Sequence, residues 1–401
     1  MRGFARRATV DAALAWLDSQ LRVLEPEQIP LDQAARRVLA MEVCSSTDVP
    51  QFDRAMMDGF AVQAESVEGA APYSRMRLEV IGQSLPGRPF AGRVGPQQAV
   101  AIMTGAPLPA GADSVLPAEL AEVQAEALLA HGEVPPGKNI GRRGEDIQAG
   151  ATVLTRGRVL RPQDLGVLAS IGFSTIEVVR RPRVNVLVTG NELLPPGTRP
   201  RDFCIGDANG PMLAALVKHD GGRVVSRQIL ADDREKIRAG LEAEADVVLV
   251  SGGSSVGLED HVPVLVGELG QLAVHGIAMR PSSPTGMGTL GNRLVFLLPG
   301  NPVSCLCAYD FFAGRAIRVL GGHAADWPYK KTVRPLSRKI SSVIGRVDYT
   351  RVKVENDRVE PLAIAGASIL SSTTRADGFV VVPADSEGYP PGAEVDVWLY
   401  D

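Results

Sequence analysis

The sequence predicts a multidomain protein of α/β plus β class. Its expected parts are a central parallel-sheet α/β domain, an inserted β domain, a helical N-terminal segment and a C-terminal β-barrel. Three observations predict this. From residue 183 to residue 320, short apolar runs alternate with amphipathic stretches at the spacing of β-α-β units. Between residues 49 and 150, Pro and Gly punctuate short alternating runs, the texture of small hairpins. After Trp327 the helical periodicity stops and strand-like runs return between turns. A chain of 401 residues is also too long for one ordinary core.

In chain order, Val10, Leu14, Leu17, Leu21 and Leu24 recur every three or four residues and predict a first helix. A second short helix is expected over residues 33–41. In the β region, Met76, Leu78 and Val80 alternate as a strand does, and so do Val100 and Ile102. Residues 163–181 revert to a helix followed by a strand, so the β region reads as an insertion that makes the first domain discontinuous. Strands are then expected at 184–188, 224–230, 247–250 and 294–298. Helices are expected at 211–219, 233–245 and 260–269, with a long one over 302–320. Residues 349–354, 378–382 and 394–399 read as strands of the barrel. The expected domains are 1–47 with 147–182, then 48–146, 183–327 and 328–401.

Composition excludes several functions. A net charge of −4 argues against a general nucleic-acid or anionic-membrane binder. With aromatic residues at 5%, platforms for stacking single strands are not expected. Cys44, Cys204, Cys305 and Cys307 form no C-x-x-C pair, which predicts reduced thiols in a cytoplasmic protein without a zinc site. Arg6 and Arg7 are followed by Asp11 and Asp18 and no continuous apolar run, so they do not read as an export signal.

The stretch DVVLVSGGSSVGLEDH (246–261) is the most informative for chemistry. A buried-strand run ends abruptly in Ser251, Gly252, Gly253, Ser254 and Ser255, and Gly257, Glu259 and Asp260 follow. Bare amides and small hydroxyls at the carboxyl end of a strand suit phosphorylated ligands. Two more strand ends carry polar loops: Thr189-Gly190-Asn191-Glu192-Leu193 and Leu298-Pro299-Gly300-Asn301-Pro302. In the latter, Gly300 permits a tight turn, Asn301 can cap a helix and Pro302 suits its first turn. One such loop is commonly an ordinary connection, but three along one sheet edge predict a binding crevice. Glu192, Asp207, Asp232 and Asp260 lie near those ends, and two or more converging would hold Mg²⁺ against phosphate oxygens. Acidic residues also favour helix N-termini for dipole reasons, the competing reading for Asp232 and Asp233.

Three familiar patterns are weaker. Gly286-x-Gly288-x-x-Gly291 has the letters of a dinucleotide fingerprint but runs into a strand, not a helix. Gly132-x-x-x-x-Gly137-Lys138 is followed by Asn139 where a phosphate loop needs Ser or Thr, and reads as a surface turn. Gly253-x-Ser255-x-Gly257 has the strand-to-helix setting of a nucleophile elbow, yet His275 and His323 lie in no recognisable catalytic context. In the inserted region, the turns holding Asp53 and Asp58, Thr104, and Arg142, Arg143, Glu145 and Asp146 read singly as structured turns. Arg142 and Arg143 are alternatively phosphate ligands.

Together these residues form an ordered set: FDRAMMDGFAV (52–62), TGAPLPAGAD (104–113), GEDI (144–147), TGNEL (189–193), SGGSSVG (251–257) and LPGNPVS (298–304). Over nearly its whole length the chain resembles the MoeA-type molybdopterin molybdenumtransferases, whose eukaryotic relatives include the E domain of gephyrin. The resemblance implies an elongated homodimer whose active cleft lies between the molybdopterin-binding α/β domain of one subunit and the β insertion of the other. It implies Mg²⁺-dependent cleavage of adenylated molybdopterin, with insertion of molybdate into the dithiolene and release of AMP. Carried over by motif, Asp58, Thr104, Asp146, Glu192, Asp232 and Asp260 are the implied catalytic residues. Glu192, Asp232 and Asp260 are the implied metal ligands, and Pro299 and Pro302 would shape the cleft. A molybdopterin adenylyltransferase and molybdoenzyme apoproteins are the implied protein partners.

Two departures stand out. The family's K-P-G-K-P reads Arg280-Pro281-Ser282-Ser283-Pro284, so Ser283 removes one cation from the oxyanion site expected around Arg280. Arg351 and residues 368–372 are expected to add to that site. The family's T-G-D-E-L reads TGNEL, so Asn191 lacks a charge. These changes keep open a non-catalytic paralogue that binds the pterin. An adenylyltransferase and a serine hydrolase acting through Ser255 are the remaining alternatives.

Overall fold

Alternation along four apolar strands builds the central sheet. In the computed structural model, which describes residues 7–125, 127–253, 261–363 and 369–400, the strands of this region are β1 (Arg183–Thr189), β2 (Arg223–Leu230), β3 (Val247–Ser251), β4 (Gln271–His275), β5 (Gly286–Leu290) and β6 (Arg293–Leu298). Their order across the sheet is β2-β1-β3-β6-β5-β4. The first four are parallel, while β5 and β4 are antiparallel to their neighbours. The wholly parallel sheet expected from sequence is therefore corrected to a mixed one. The cause is the short connection at Gly291 (φ +60°) and Asn292, since a tight hairpin joins only antiparallel strands. The glycines of β5 serve packing: a Cβ on Gly288 would lie 2.1 Å from the carbonyl oxygen of Gln271.

Successive residues point to opposite faces, and both faces are buried. Val184, Val186, Leu249 and Phe296 face one core, with Leu213 and Val217 of helix α1 (Asn209–His219). Leu187, Val248, Val250 and Val295 face the other, with Ile237 and Leu241 of α2 (Arg234–Glu242) and Val262 and Leu265 of α3 (His261–Leu269). The helix expected over 302–320 is present, interrupted by a π-helical turn at Tyr309–Ala313. The first helix, Val10–Gln20, is capped by Thr9, whose Oγ1 accepts from the amide of Ala12, and buries Val10, Ala13 and Leu17 in the first core.

The helix expected at 33–41 is absent, a second correction. A 3₁₀ turn at Leu31–Gln33 is followed by Arg36 at φ +64°, a left-handed conformation incompatible with a helix interior. The C-terminal region places Lys330–Pro335, Glu394–Leu399, Gly378–Val382, Val347–Glu355 and Arg358–Ala363 side by side in antiparallel pairs. Met279–Arg280 adds a parallel pairing to Val347–Glu355, which sets Arg280 beside Asp348.

The chain divides into two compact units, residues 1–27, 36–38 and 178–401, and residues 28–35 with 39–177. The second unit holds a six-stranded sheet ordered Ser114–Pro117, Gly59–Val62, Gln98–Ile102, Met76–Ser84, Ala127–Ala130 and Ala121–Gln124. One face buries Phe60, Val62 and Leu116, and the other Ala61, Val100 and Val115. A Cβ on Gly59 would sit 2.0 Å from the carbonyl oxygen of Leu116, so this strand can approach its neighbour only with glycine there.

Candidate active site

The chain leaves β1 for β2 on one side of the sheet and then crosses to β3 on the other. Open α/β sheets bind ligands at such a switch point, outside the carboxyl ends of the strands. A cavity of about 690 Å³ occupies this position. Thr189, Gly190 and Glu192 line it after β1, and Ser251, Gly252 and Gly253 after β3. Pro299, Gly300, Asn301 and Pro302 line it after β6. The three loops predicted to share one rim do share it.

Backbone sterics hold the loops in place. Gly252 adopts φ +97°, and a Cβ on it would lie 2.3 Å from the carbonyl oxygen of Thr189, so the β3 loop can cross the end of β1 only with glycine. Asn209 ties two loops together: its Nδ2 donates to Ser251 Oγ at 2.8 Å and to the carbonyl oxygen of Gly300 at 2.7 Å. On the rim, the Asn191 amide donates to Asp232 Oδ2 and the Asp232 amide to Asn191 Oδ1, each at 3.2 Å. Asn191 thus orients Asp232 with groups an asparagine supplies as well as an aspartate.

Other expected site residues lie elsewhere. Ser254, Ser255, Gly257 and Asp260 lie outside the described residues, and the elbow reading of Ser255 with them. Asp58, Thr104 and Asp146 are exposed in the second unit. The backbone amide of Thr104 (2.7 Å) and its hydroxyl (2.8 Å) both donate to Asp58 Oδ1 and hold that carboxyl below the usual range. The Asp146 amide donates to the carbonyl oxygen of Val49 at 3.0 Å. Arg142 and Arg143 pair with carboxylates, Arg142 Nη1 with Asp53 at 2.8 Å and Arg143 Nε with Asp48 at 2.6 Å.

Arg280 and Ser283 line a separate cavity of about 500 Å³, together with Arg7 and Arg346. The fully buried carboxylate of Asp348 pairs with Arg280, with Arg346 at 3.0 Å, and accepts from Ser342 Oγ at 2.8 Å. Three cations against one carboxylate leave this cavity electropositive. Arg7 is held over it because the Ala8 amide donates to the carbonyl oxygen of Gly276 (3.0 Å) and the Ala278 amide to that of Ala8 (2.8 Å). Ser283 faces this cavity while its neighbour Pro284 lines the loop crevice. Arg351 lines neither; it is 1% exposed in the strand Val347–Glu355, and its Nε and Nη2 have no partner among the described residues.

Sequence reasoning missed Arg7 and Arg346 as cavity residues, which no local motif marks, and Asn209, which lies two residues after the Asp207 it did select. Mg²⁺ takes oxygen ligands, commonly one or two carboxylates with substrate phosphates. Glu192 and Asp232 line one cavity and offer carboxylate oxygens of the kind that ion takes, although the described residues hold no cluster of three or more His, Cys, Asp or Glu side chains placed for a metal. The buried Cys305 thiol, pushed up to about 12 by its burial, stays protonated and is no ligand for it.

A crevice at the switch point of an open α/β sheet defines a protein that binds a small ligand outside its strand ends. Three family models match: MoeA N-terminal region (domain I and II) at residues 8–172, probable molybdopterin binding domain at 185–318, and MoeA C-terminal region (domain IV) at 333–400. The chain belongs to the MoeA family. It is 32% identical to a putative molybdopterin biosynthesis protein of Methanocaldococcus jannaschii, over 98% of this chain and 96% of that one. It is also 32% identical to molybdopterin molybdenumtransferase 2 of Mycobacterium tuberculosis, over 94% of this chain and 96% of that one. A crystal structure of a molybdopterin biosynthesis MoeA protein from Pyrococcus horikosii superposes with a TM-score of 0.85 at 34% identity, covering 99% of this chain and all of that one.

Proposed function

We propose that this chain is a molybdopterin molybdenumtransferase, inserting molybdenum from molybdate into adenylated molybdopterin and releasing AMP. The observation that carries the reading is the convergence of three strand-end loops with Glu192 and Asp232 on one cavity at the switch point. The Gly252 amide donates to the carbonyl oxygen of Leu298 at 3.2 Å, so the Gly253 amide would be the one from this loop to hold the substrate's phosphate. Glu192 and Asp232, with Asp260, would hold Mg²⁺, which neutralises charge on the phosphoanhydride and its leaving group. Arg280, beside Ser283, would attract the molybdate dianion electrostatically. Asn301 and the two prolines that flank the Gly300-Asn301 turn would shape the wall against which the substrate is oriented.

The same reading includes a cytoplasmic homodimer, with a molybdopterin adenylyltransferase as supplier and molybdoenzyme apoproteins as recipients. It includes closure of the C-terminal sheet into a barrel, domain boundaries at 47, 146, 182 and 327, and roles for Asp58, Thr104, Asp146 and Arg351. Among the described residues, no helix is long and apolar enough to cross a membrane.

The test is AMP release from adenylated molybdopterin by the purified protein, with and without Mg²⁺ and molybdate. Molybdate-stimulated, Mg²⁺-dependent release is expected. Tight binding of the pterin without any release would instead favour the non-catalytic paralogue.

A further inference from the structure

We infer that Arg7 tunes the cavity around Arg280 to doubly charged tetrahedral oxyanions, in preference to singly charged ones of the same shape. Arg7 is thereby a specificity-determining residue supplied by the start of the chain. The inference deepens the reading of that cavity as the molybdate site and rests on it.

Three segments far apart in sequence are tied in line by their backbones. The Ala278 amide donates to the carbonyl oxygen of Ala8 at 2.8 Å, and the Val347 amide to that of Ala278 at 3.0 Å. Met279 and Arg280 then run parallel to Val347 and Asp348. Arg7 directly precedes Ala8, Arg346 directly precedes Val347, and Arg280 lies two residues beyond Ala278. All three arginines line the one cavity of about 500 Å³. Gly345, at φ +94°, turns the chain ahead of Arg346, and its amide donates to the carbonyl oxygen of Ala384 at 2.7 Å.

Charge decides what such a cavity takes. Arginine stays protonated at any ordinary pH, so each of these side chains brings a full positive charge. Arg280 and Arg346 share the buried carboxylate of Asp348, which leaves one net positive charge among those three groups. Arg7 makes no ion pair among the described residues, and it raises the net to two, the complement of a dianion. The cations are also within reach of a ligand: Arg7 is exposed, and the Arg280 and Arg346 side chains are 33% and 30% exposed. Coulomb energy scales with the product of the charges, so Arg7 attracts a dianion twice as strongly as a monoanion at the same distance.

Calorimetric titration of the full chain at low ionic strength tests this. Molybdate is compared with perrhenate, a tetrahedral monoanion of nearly the same size, and with sulfate, a smaller dianion. Arg7→Gln is expected to weaken both dianions about tenfold and perrhenate only about threefold, with an unchanged melting temperature. Arg7→Lys keeps the charge and is expected to retain most of the preference. A merely structural role for Arg7 would weaken all three anions alike. Equal loss for all three, or loss for none, overturns the inference. It also falls if sulfate follows perrhenate rather than molybdate, because charge is then not what is discriminated. If the wild-type chain binds none of the three anions, the molybdate reading of the cavity fails as well, a result distinct from binding that Arg7 does not affect.

Discussion

Asn191 and Asp232 grip each other through reciprocal backbone-to-side-chain hydrogen bonds of 3.2 Å, one at the end of β1 and the other just past β2. The pair fixes the Asp232 carboxylate on the rim of the crevice. A charge at residue 191 is not needed for this, but it would change the local field. Asn191→Asp sets a second carboxylate beside Asp232, and is expected to tighten Mg²⁺ binding by a few-fold at low ionic strength. Calorimetric titration with MgCl₂ checks this, and weaker binding in the variant would argue against a metal at Asp232.

Gly252 and Gly267 offer a contrast in one substitution. Gly252→Ala forces a side chain into a left-handed backbone 2.3 Å from a carbonyl oxygen. A loss of about 2 kcal/mol or more is expected, with loss of AMP binding. Gly267 is exposed within α3, and its Cβ would meet nothing within 4 Å. Gly267→Ala is expected to stabilise by ~0.5–1 kcal/mol and leave binding intact. Chemical denaturation of both variants settles the pair.

Asp310 makes stability depend on pH. Burial pushes its carboxyl up to about 7 from an ordinary 3.8, while Tyr329 and Tyr349 donate to it at 2.9 and 3.0 Å. Between those two values the folded protein holds a proton that the unfolded chain releases. Its contribution to stability therefore falls as pH rises through this window, by a few kcal/mol at most and on the order of 1.4 per unit. Asp310→Asn removes the titration. Its melting temperature is expected to decline less than that of the wild type between pH 4.5 and 7.5, and parallel curves would refute the assignment.

The cavity around Arg280 tests how this chain manages without a cation at residue 283. Arg7 makes no ion pair among the described residues, whereas Arg346 shares Asp348 with Arg280. Arg7→Gln and Arg346→Gln are each expected to raise the KM for molybdate several-fold, the more so at low salt. The melting temperature of the Arg7 variant should not move. Salt-independent kinetics in both variants would place the oxyanion elsewhere.

Much of the fold was legible in the sequence, because period and length are local properties. The strand Val247–Ser251 is read from one apolar run and the helix Asn209–His219 from its apolar face. What escaped had weak local signals. The strands Gln271–His275 and Gly286–Leu290 are poor in β-branched residues, and glycines in the second exist to let a neighbour approach closely. The missed break at Arg36 rests on a single backbone angle that residue type does not announce.

By itself the sequence determined the succession of strands and helices, the glycine-bearing strand ends and the carboxylates beside them, since these depend on neighbours a few residues apart. Tertiary structure alone decided which groups face one another. Crossing β1 from one side to the other brings residues 189, 251 and 300 around one cavity, and pairing Met279–Arg280 with Val347–Glu355 sets Arg280 against Asp348. It also set Arg7 beside Arg280 and Arg346, because neighbours are set by distance in space rather than by separation along the chain.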